Sequence, residues 1–305
     1  MMKVLIVASY NKGYYAPFIV EQGEALKKHG CDVEYFGIVG KGIAGYLKSF
    51  PSLKKSIRDF NPDLIHAHYG LSGLMANLQR RVPVVTTFHG SDINEKKVFP
   101  FSKIAMALSR HSIFVSQRTI DIACPRKNYS LIPCGINLCE LQLTSKECAR
   151  DRMGFDKAKK YVLFSGAFDN PVKNYPLAES TMAFLPKVEL VELKGYSRSD
   201  VTLLMCAADA ILMTSLSEGS PQVIKEALAC GCPVVSVDVG DVSQLVAGVD
   251  ACAIVPRSPE LIAAALSECV KAGKCVKGRD CIVDSGLDNG SVVDKLMDIY
   301  RKCVR

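Results

Sequence analysis

Residues 214–235 read TSLSEGSPQVIKEALACGCPVV and predict the end of a strand, a loop, a helix and a second strand. Ser220 followed by Pro221 predicts the helix start, because a serine side chain can cap free N–H groups and proline needs no N–H in the first turn. The free N–H groups and the helix dipole favour binding of an anion or a hydroxyl group there. Glu218 lies just before this point and is expected to face the same ligand.

Glu226 lies in the second turn of this helix, one i,i+4 step after Gln222. Together with Glu218 it would offer two carboxylates to a ligand with several hydroxyl groups, since carboxylates accept strong charge-assisted hydrogen bonds. The alternative is that Glu218 is a solvated loop residue and that Glu226 pairs with Lys225 or lies exposed. The residues alone leave both interpretations open.

Short β-branched segments alternate with segments of helical periodicity along the rest of the chain. This alternation, with continuous apolar strands, indicates parallel sheets covered by helices on both faces. The pattern pauses at 132–138 and through a polar stretch up to Lys160, which predicts two domains. The fold class is therefore α/β with two doubly wound, Rossmann-like lobes facing a cleft. We place the first lobe at 1–141, the second at 142–288, and at 289–305 a C-terminal helix that packs back on the first lobe.

Composition supports a globular chain with an uneven charge. Of 305 residues, 49% are hydrophobic and 23% are charged, and the formal net charge is +7. Residues 1–141 carry 18 Lys and Arg against 10 Asp and Glu, whereas residues 142–305 carry 20 against 21. We therefore expect the first half to meet an anionic partner. Nucleic acid is not the expected partner, because no nucleic-acid-binding motif accompanies the charge.

Neither export nor metal binding is expected. The apolar run of residues 4–8 is shorter than the roughly 7–15 residues of a signal-peptide core. No stretch approaches the roughly 18 apolar residues of a transmembrane helix, so we predict a cytoplasmic protein. The 13 cysteines should then be reduced thiols, mostly small buried hydrophobes, and neither they nor the five histidines have the spacing of zinc ligands.

Residues 40–45, GKGIAG, match the glycine pattern of dinucleotide-binding loops. Such a site also needs an acidic residue at the end of the next strand. Asp59 lies before that strand, Asp63 begins it, and the motif follows the second strand rather than the first. We interpret it as a flexible glycine loop lining the cleft, not as an NAD site.

Several segments, taken in order, resemble the retaining glycosyltransferases of family GT4, which have the GT-B fold. The Glu-x7-Glu pattern of Glu218 and Glu226, within SEGSP and EALACGCPVV, resembles the donor-site signature of that family. Residues 89–92 (HGSD) resemble its loop after a strand of the N-terminal lobe, and residues 63–69 (DLIHAHY) its strand-ending histidine segment. Residues 132–137 (IPCGIN) resemble the stretch that closes its first lobe.

The resemblance implies a nucleotide-sugar donor bound largely by the second lobe. Glu226 would bind the ribose hydroxyls. Glu218 would bind hydroxyls of the transferred sugar, beside the loop residues Gly219, Ser220 and Pro221. Lys173 would neutralise the diphosphate, whose negative charge grows as the glycosidic bond breaks.

In the first lobe, the resemblance implies roles for Gly13 and His89. Gly13 would let the backbone approach the phosphates, and His89 would act near the donor sugar, so that His89, Glu218 and Lys173 form the catalytic set. A histidine that ends a buried strand is otherwise often a hydrogen-bonded core residue. We also expect His66 and His68 to point to opposite faces of their strand, with His68 the one nearer the cleft.

The family works without a divalent metal, and the chain has no Asp-x-Asp sequence, so neither a metal nor a cofactor is expected. One departure concerns the phosphate site. The family places an arginine after the glycine that ends the first strand of the second lobe, and here Ala167 follows Gly166. Either Lys173 acts with helix N-termini, or Lys194 or Arg198 takes the place of the arginine.

A basic helical segment at 43–60, interrupted at Pro51, has two interpretations. Its apolar stripe packs on the sheet with the lysines in water, or it meets anionic lipid headgroups or a lipid-phosphate acceptor. In the second case the protein is peripheral at the inner face of the membrane.

The sequence thus predicts a metal-independent glycosyltransferase that moves a hexosyl group from a nucleotide-sugar donor to a glycan or lipid-linked acceptor with retention of configuration. A nucleotide-sugar epimerase of the same fold and a non-catalytic two-lobed binding protein are the alternatives.

Overall fold

The computed structural model describes residues 1–40 and 42–304 and divides into two compact domains. The first contains Met1–Gly135 and the chain from Asn289 onward, and the second contains Ile136–Asp288. The sequence prediction placed the boundary after residue 141. The chain enters the second domain earlier because Ile136 N–H donates to the Leu287 carbonyl at 2.9 Å, and Leu138 and Leu141 pack on the second domain's core.

Eleven strands form two sheets within the described residues. The strands are β1 (Lys3–Ser9), β2 (Asp32–Ile38), β3 (Leu64–His68), β4 (Val84–Phe88), β5 (His111–Phe114), β6 (Tyr129–Leu131), β7 (Lys160–Phe164), β8 (Val188–Glu192), β9 (Ala210–Met213), β10 (Val234–Ser236) and β11 (Ala253–Ile254).

Helices follow most strands. They are α1 (Pro17–Lys28), α2 (Gly42–Lys48), α3 (Phe50–Phe60), α4 (Gly70–Asn77), α5 (Ser91–Asn94), α6 (Phe99–Leu108), α7 (Gln117–Ala123), α8 (Lys146–Met153), α9 (Tyr175–Met182), α10 (Arg198–Ala207), α11 (Gln222–Ala229), α12 (Val242–Leu245), α13 (Pro259–Ala272), α14 (Gly278–Asp284) and α15 (Asn289–Val304), with a 3₁₀ turn at Pro171–Lys173.

Both sheets are parallel and have the same strand order. The first runs β2-β1-β3-β4-β5-β6 and the second runs β11-β10-β9-β7-β8. In each sheet the order reverses after the domain's first strand, between β1 and β3 and between β7 and β9. A doubly wound sheet opens a ligand crevice at the carboxyl ends of the strands at such a reversal. The predicted α/β class with two Rossmann-like sheets is confirmed.

The first sheet is closed by the C-terminal helix. Strand β1 is fully buried from Val4 to Ala8, because parallel strands are covered on both faces. On one face, Val4 and Ile6 pack in one cluster with Leu296 and Tyr300 of α15. The chain therefore leaves the first domain at Gly135 and returns to its core after Asn289.

Six helices lie outside the helical segments that the sequence predicts, namely α5, α6, α7, α8, α12 and α14. Helix α8 reads KECARDRM and buries only Ala149 and Arg150, so it has no apolar stripe that sequence periodicity could detect. The predicted interruption at Pro51 lies instead at Ser49, between α2 and α3. Pro51 sits in the first turn of α3, where its missing N–H costs nothing.

The glycine pattern at 40–45 forms a tight packing contact, and Lys41 within it lies outside the described residues. A Cβ on Gly40 would come within 2.7 Å of the Gly45 backbone, and Gly40 also has a φ of +137°. Asn11, in the loop after β1, holds Gly40 through both its amide atoms, at 2.7 and 3.0 Å. These glycines are required by close backbone approach rather than by flexibility.

Helix α3 packs its apolar stripe on the first sheet. Leu53 and Phe60 are buried, Phe50 and Ile57 pack against the same cluster, and the lysines of the helix are exposed. The sheet therefore covers the apolar face, as the first interpretation of this segment expects, and contact with an anionic headgroup would involve the exposed lysines alone. Within residues 1–40 and 42–304, no helix combines the length and apolar character that spanning a bilayer requires.

Candidate functional site

The loops after β7 and β9 flank the strand-order reversal of the second sheet and are bonded to each other. Leu216 N–H donates to the Val172 carbonyl at 2.8 Å, and the Thr214 hydroxyl donates to the Lys173 carbonyl at 2.9 Å. Arg257 supports them by donating to the carbonyls of Thr214 and Ser215 at 2.9 and 2.7 Å. The two loops therefore hold their side chains in fixed relative positions.

Lys173 and Glu218, one from each loop, form an ion pair with Nζ and Oε1 2.7 Å apart. Both side chains are largely buried, with 19% and 16% of their surfaces exposed. Gly166 makes room for the lysine, because a Cβ there would lie 2.8 Å from Lys173 Cγ. The sequence predicted both residues as ligands of one donor, and the structure brings them into direct contact.

The loop between Glu218 and helix α11 packs against the loop after β10 and is hydrogen-bonded to it. Ser220 Oγ donates to Asp241 Oδ2 at 2.5 Å, and a Cβ on Gly240 would lie 2.8 Å from the Gly219 carbonyl. The predicted role of Ser220 as the helix cap is wrong: Pro221 is the N-cap residue and the serine hydroxyl is bonded to a carboxylate instead. A charged acceptor makes the stronger bond.

Asp241 is a buried residue whose part in this loop the sequence did not reveal. Burial raises the pKa of its carboxyl group, and the nearby Lys225 ammonium opposes that rise. It lies five residues after the end of β10, and no pattern in the sequence links it to Ser220.

Glu226 lies on α11 with 7% of its side chain exposed, and its Oε1 lies 2.6 Å from a guanidinium nitrogen of Arg198. Burial raises the pKa of Glu226, and the guanidinium opposes that rise. Lys225 Nζ bonds the Gln222 side chain at 2.9 Å, and its positive charge also opposes the rise in the pKa of Glu226. Arg198 begins helix α10 and has 51% of its side chain exposed.

The two candidate substitutes for the family arginine at position 167 differ in placement. Lys194 pairs with Asp169 at 2.5 Å on an exposed surface, whereas Arg198 contacts the buried Glu226. Of the two, only Arg198 touches a residue predicted to bind the donor.

His89 lies in the first domain, directly after β4, which is the neighbour of β3 in the first sheet. Its Nε2 is 3.0 Å from His68 Nδ1, and its Nδ1 is 3.6 Å from Cys134 Sγ. The rings of Phe18 and Tyr69 pack on it, with centroids 4.8 and 4.5 Å away. His89 is thus half-buried and hydrogen-bonded through both ring nitrogens, which combines features of both interpretations of this residue.

The expectation that His66 and His68 point to opposite faces is wrong. Residues two apart on a strand share a face, and their rings stack with centroids 4.5 Å apart. His66 bonds Thr87 Oγ1 at 2.7 Å and the hydroxyl of Tyr300 at 2.5 Å, so it ties β3 to its neighbour β4 and to helix α15.

Gly13 lies in the loop after β1, which borders the strand-order reversal of the first sheet. Its φ of +76° favours glycine, and a Cβ there would meet open space. Glycine is therefore favoured at this position by the backbone conformation and not by a lack of space.

Asp92 organises the loops around His89 from beneath. Oδ1 accepts the N–H groups of His89 and Gly90 at 3.0 Å, and Oδ2 accepts that of Gly70 at 2.9 Å. Burial raises the pKa of Asp92 to about 6 even though these bonds oppose the rise. In the sequence, Asp92 stands out only as part of the HGSD motif. Its role as an acceptor shared by three N–H groups becomes visible only in the structure.

Across the part of the chain that the structure describes, no group of three or more His, Cys, Asp and Glu side chains is arranged to hold a metal ion.

Comparison with known proteins gives the class of the chain. Residues 22–140 match the sequence model of Glycosyltransferase Family 4, and residues 159–272 match that of Glycosyl transferases group 1. Together the two matches extend over more than half of the chain. The protein therefore belongs to the glycosyltransferases of the GT4 type, with the GT-B fold.

Individual relatives agree with this class. TuaC of Bacillus subtilis, a glycosyltransferase named for teichuronic acid biosynthesis, is 29% identical over 241 residues, which cover 69% of this chain and 62% of TuaC. The chain thus spans about three fifths of that relative. Sucrose-phosphate synthase of Thermosynechococcus elongatus shares the fold with a TM-score of 0.84 at 17% identity, covering 99% of both chains. HepE of Anabaena, solved with UDP and glucose, has a TM-score of 0.76 at 20% identity, covering 98% of this chain and 99% of HepE.

The buried carboxyl group of Asp92 gives a pH-dependent prediction. Because its pKa is raised in the folded chain, the folded state binds its proton more tightly than the unfolded state does. The stabilisation is complete below about pH 4 and is lost as the pH rises through about 6. The free energy of unfolding of the wild type should therefore fall over that range by on the order of 2 kcal/mol relative to Asp92→Asn, as measured by urea unfolding.

The control is Asp59→Asn, which removes an exposed carboxylate paired with Lys55. Its pH profile should parallel that of the wild type. If the Asp92→Asn profile is also parallel to the wild type, Asp92 does not titrate as described.

Proposed function

We propose that this chain transfers a glycosyl group from a nucleoside diphosphate sugar to a hydroxyl acceptor, with retention of configuration and without a metal ion. The observation that carries the proposal is a set of two carboxylates that each contact a cation: the largely buried Glu218 with Lys173, at the strand-order reversal of the second sheet, and the buried Glu226 of α11 with Arg198. Such a set suits a ligand that has both hydroxyl groups and phosphate charge.

The ion pairs give the site a way to accept that ligand. Without a ligand, Lys173 balances Glu218 and Arg198 balances Glu226. Sugar and ribose hydroxyls would take over the carboxylate oxygens as hydrogen-bond donors, and the released cations would face the diphosphate. The exchange keeps buried charges paired, which matters because an unpaired buried charge costs several kcal/mol.

The departing nucleoside diphosphate is the group that needs stabilisation during transfer. Its negative charge grows as the glycosidic bond breaks, and preorganised donors aimed at that charge lower the barrier. We assign this role to the Lys173 ammonium, assisted by the N–H groups of Gly219 and Ser220 before helix α11. Arg198 is the second cation in this proposal and supplies the charge of the arginine that is absent at Ala167. The UDP complexes of HepE support a nucleotide of this kind as the ligand.

A nucleotide panel tests the donor site. With UDP, GDP, ADP or their sugars at 100 times the Kd, the ligand should add about 2.7 kcal/mol of stability, measured as a rise in melting temperature. Glu226→Ala should weaken the best ligand by roughly 10- to 100-fold, because charge-assisted hydrogen bonds to the ribose are lost.

The matched control is Glu268→Ala, a glutamate of the same domain whose contact is an exposed pair with Lys271. It should leave the affinity unchanged. If no nucleotide stabilises the wild type, or if Glu226→Ala binds as tightly as the wild type, the proposed donor site is wrong.

Turnover of the donor separates transfer from epimerisation. Incubated with the best-binding nucleotide sugar and no acceptor, the protein should slowly release nucleoside diphosphate and free sugar, and NMR should show that the first anomer formed retains the donor configuration. Lys173→Ala should slow this release by about 100-fold or more, since stabilising the leaving group is its assigned role. Conversion of the donor into an epimeric nucleotide sugar would instead identify an epimerase.

The first domain is proposed to receive an anionic or lipid-linked glycan acceptor. With the boundaries of the structure, it carries 22 Lys and Arg against 11 Asp and Glu, and the second domain carries 16 against 20. A surface of one sign concentrates ligands of the opposite sign and raises their rate of association. An anionic membrane surface at the inner face of the cell would be reached through the same charges.

Vesicle binding tests this surface. Vesicles with anionic headgroups should sediment more of the protein than neutral vesicles at low salt, and the difference should disappear at about 0.5 M salt because the charges are screened. The paired change Lys54→Glu with Lys55→Glu, on the exposed face of α3, should reduce the anionic binding. Equal sedimentation with both kinds of vesicle would contradict the membrane contact.

A further inference from the structure

The hydrogen bonds of His89 form a short chain with defined ends. His68 Nδ1 and His89 Nε2 lie 3.0 Å apart, and His89 Nδ1 lies 3.6 Å from Cys134 Sγ. At the other end, His68 Nε2 is fully buried and has no hydrogen-bond partner among the described residues. A neutral imidazole carries one proton, so the proton of each ring must be assigned to one of two nitrogens.

With both rings neutral, only two arrangements of protons satisfy the 3.0 Å bond. In the first, His89 Nε2–H donates to His68, which leaves the buried His68 Nε2 as an N–H without an acceptor. In the second, His68 Nδ1–H donates to His89, which leaves His68 Nε2 as a bare acceptor and puts the proton of His89 on Nδ1. Among buried backbone groups, an N–H without a partner is rarer than an unsatisfied carbonyl. The same ranking, applied to the imidazole nitrogens, favours the second arrangement.

We propose that His68 is a positioning residue that holds His89 in its Nδ1–H tautomer, with this N–H directed at the Cys134 sulfur until an oxygen atom of the ligand takes it. Sulfur is a weak acceptor, so a sugar hydroxyl or phosphate oxygen would replace it at little cost. The nature of that ligand rests on the proposed function, whereas the tautomer does not.

The surroundings of His68 keep it neutral and oriented. Burial, with the neighbouring His66 and His89, lowers the pKa of His68 well below the ordinary value of 6.5. His66 stacks on its ring, and His66 is itself held between Thr87 and Tyr300. A ring fixed on one side by stacking and on the other by His89 has one orientation available for its hydrogen bond.

The experiment is nitrogen-15 NMR of the histidine rings in the full chain, which has only five histidines. In the wild type, the protonated nitrogen of His89 should be Nδ1. In His68→Phe, which keeps an aromatic ring without a donor, His89 should shift to the Nε2–H tautomer or a mixture of the two. His111→Phe is the control, since His111 bonds Ser130 and lies in the same sheet, and it should leave His89 as in the wild type.

Cys134→Ala separates the two neighbours of His89. If His68 sets the tautomer, this variant should keep His89 protonated on Nδ1. A wild-type His89 protonated on Nε2 would overturn the proposal even if His68→Phe does not fold, and so would an unchanged tautomer in a folded His68→Phe. The readout needs no nucleotide, so its outcome is independent of the nucleotide panel that tests the donor site.

Discussion

The reversal of strand order in each sheet is the constraint on which the rest of the molecule depends. In a parallel sheet, crossover helices on opposite faces separate only where the order reverses, so the loops there border an open crevice. In the second sheet these are the loops after β7 and β9, which supply Lys173 and Glu218. In the first sheet they are the loop after β1, with Gly13, and the end of β3, with His68. Four of the residues predicted from the sequence therefore lie at the two reversals, whereas Glu226 lies on α11 and His89 follows β4.

Polar groups at these edges are held by buried acceptors in the layer beneath. Asp241 holds Ser220 in the second domain, and Asp92 gathers three backbone N–H groups in the first. Burial raises the pKa of both carboxyl groups, which shows that keeping them ionised inside the protein is unfavourable. Each carboxyl group therefore lowers the stability of the fold while it fixes the conformation of a loop. Such a cost is typical of sites whose loops must keep one conformation for a ligand.

The sequence predicted those elements whose signal is local, that is, contained in a few consecutive residues. The apolar run at β1 and the strand, loop and helix around Glu218 could be predicted because burial and helix initiation leave a local signature. Sequence prediction failed where the partner lies far along the chain. Ser220 next to Pro221 has the pattern of a helix cap, and only the fold brings Asp241 close enough to take its hydroxyl. Helix α8 also escaped prediction, because it buries only Ala149 and Arg150, and the Arg150 guanidinium bonds Asp209, which lies 59 residues further along the chain.

The path of the chain also sharpens the charge asymmetry that composition suggested. Counted by sequence, the net charge is +8 for residues 1–141 and −1 for residues 142–305. Counted by folded domains, the net charge is +11 against −4, because Glu140 belongs to the second domain and residues 289–305, with four basic and two acidic side chains, belong to the first. Helix α15 contributes apolar side chains to the core of the first domain, and it presents Arg301 and Lys302 to solvent. One element therefore serves two purposes: it closes the hydrophobic core around Tyr300 and adds positive charge to the domain proposed to meet an anionic acceptor. A change that displaced α15 would weaken both the core and that charge, whereas a change to its exposed lysine or arginine would affect the charge alone.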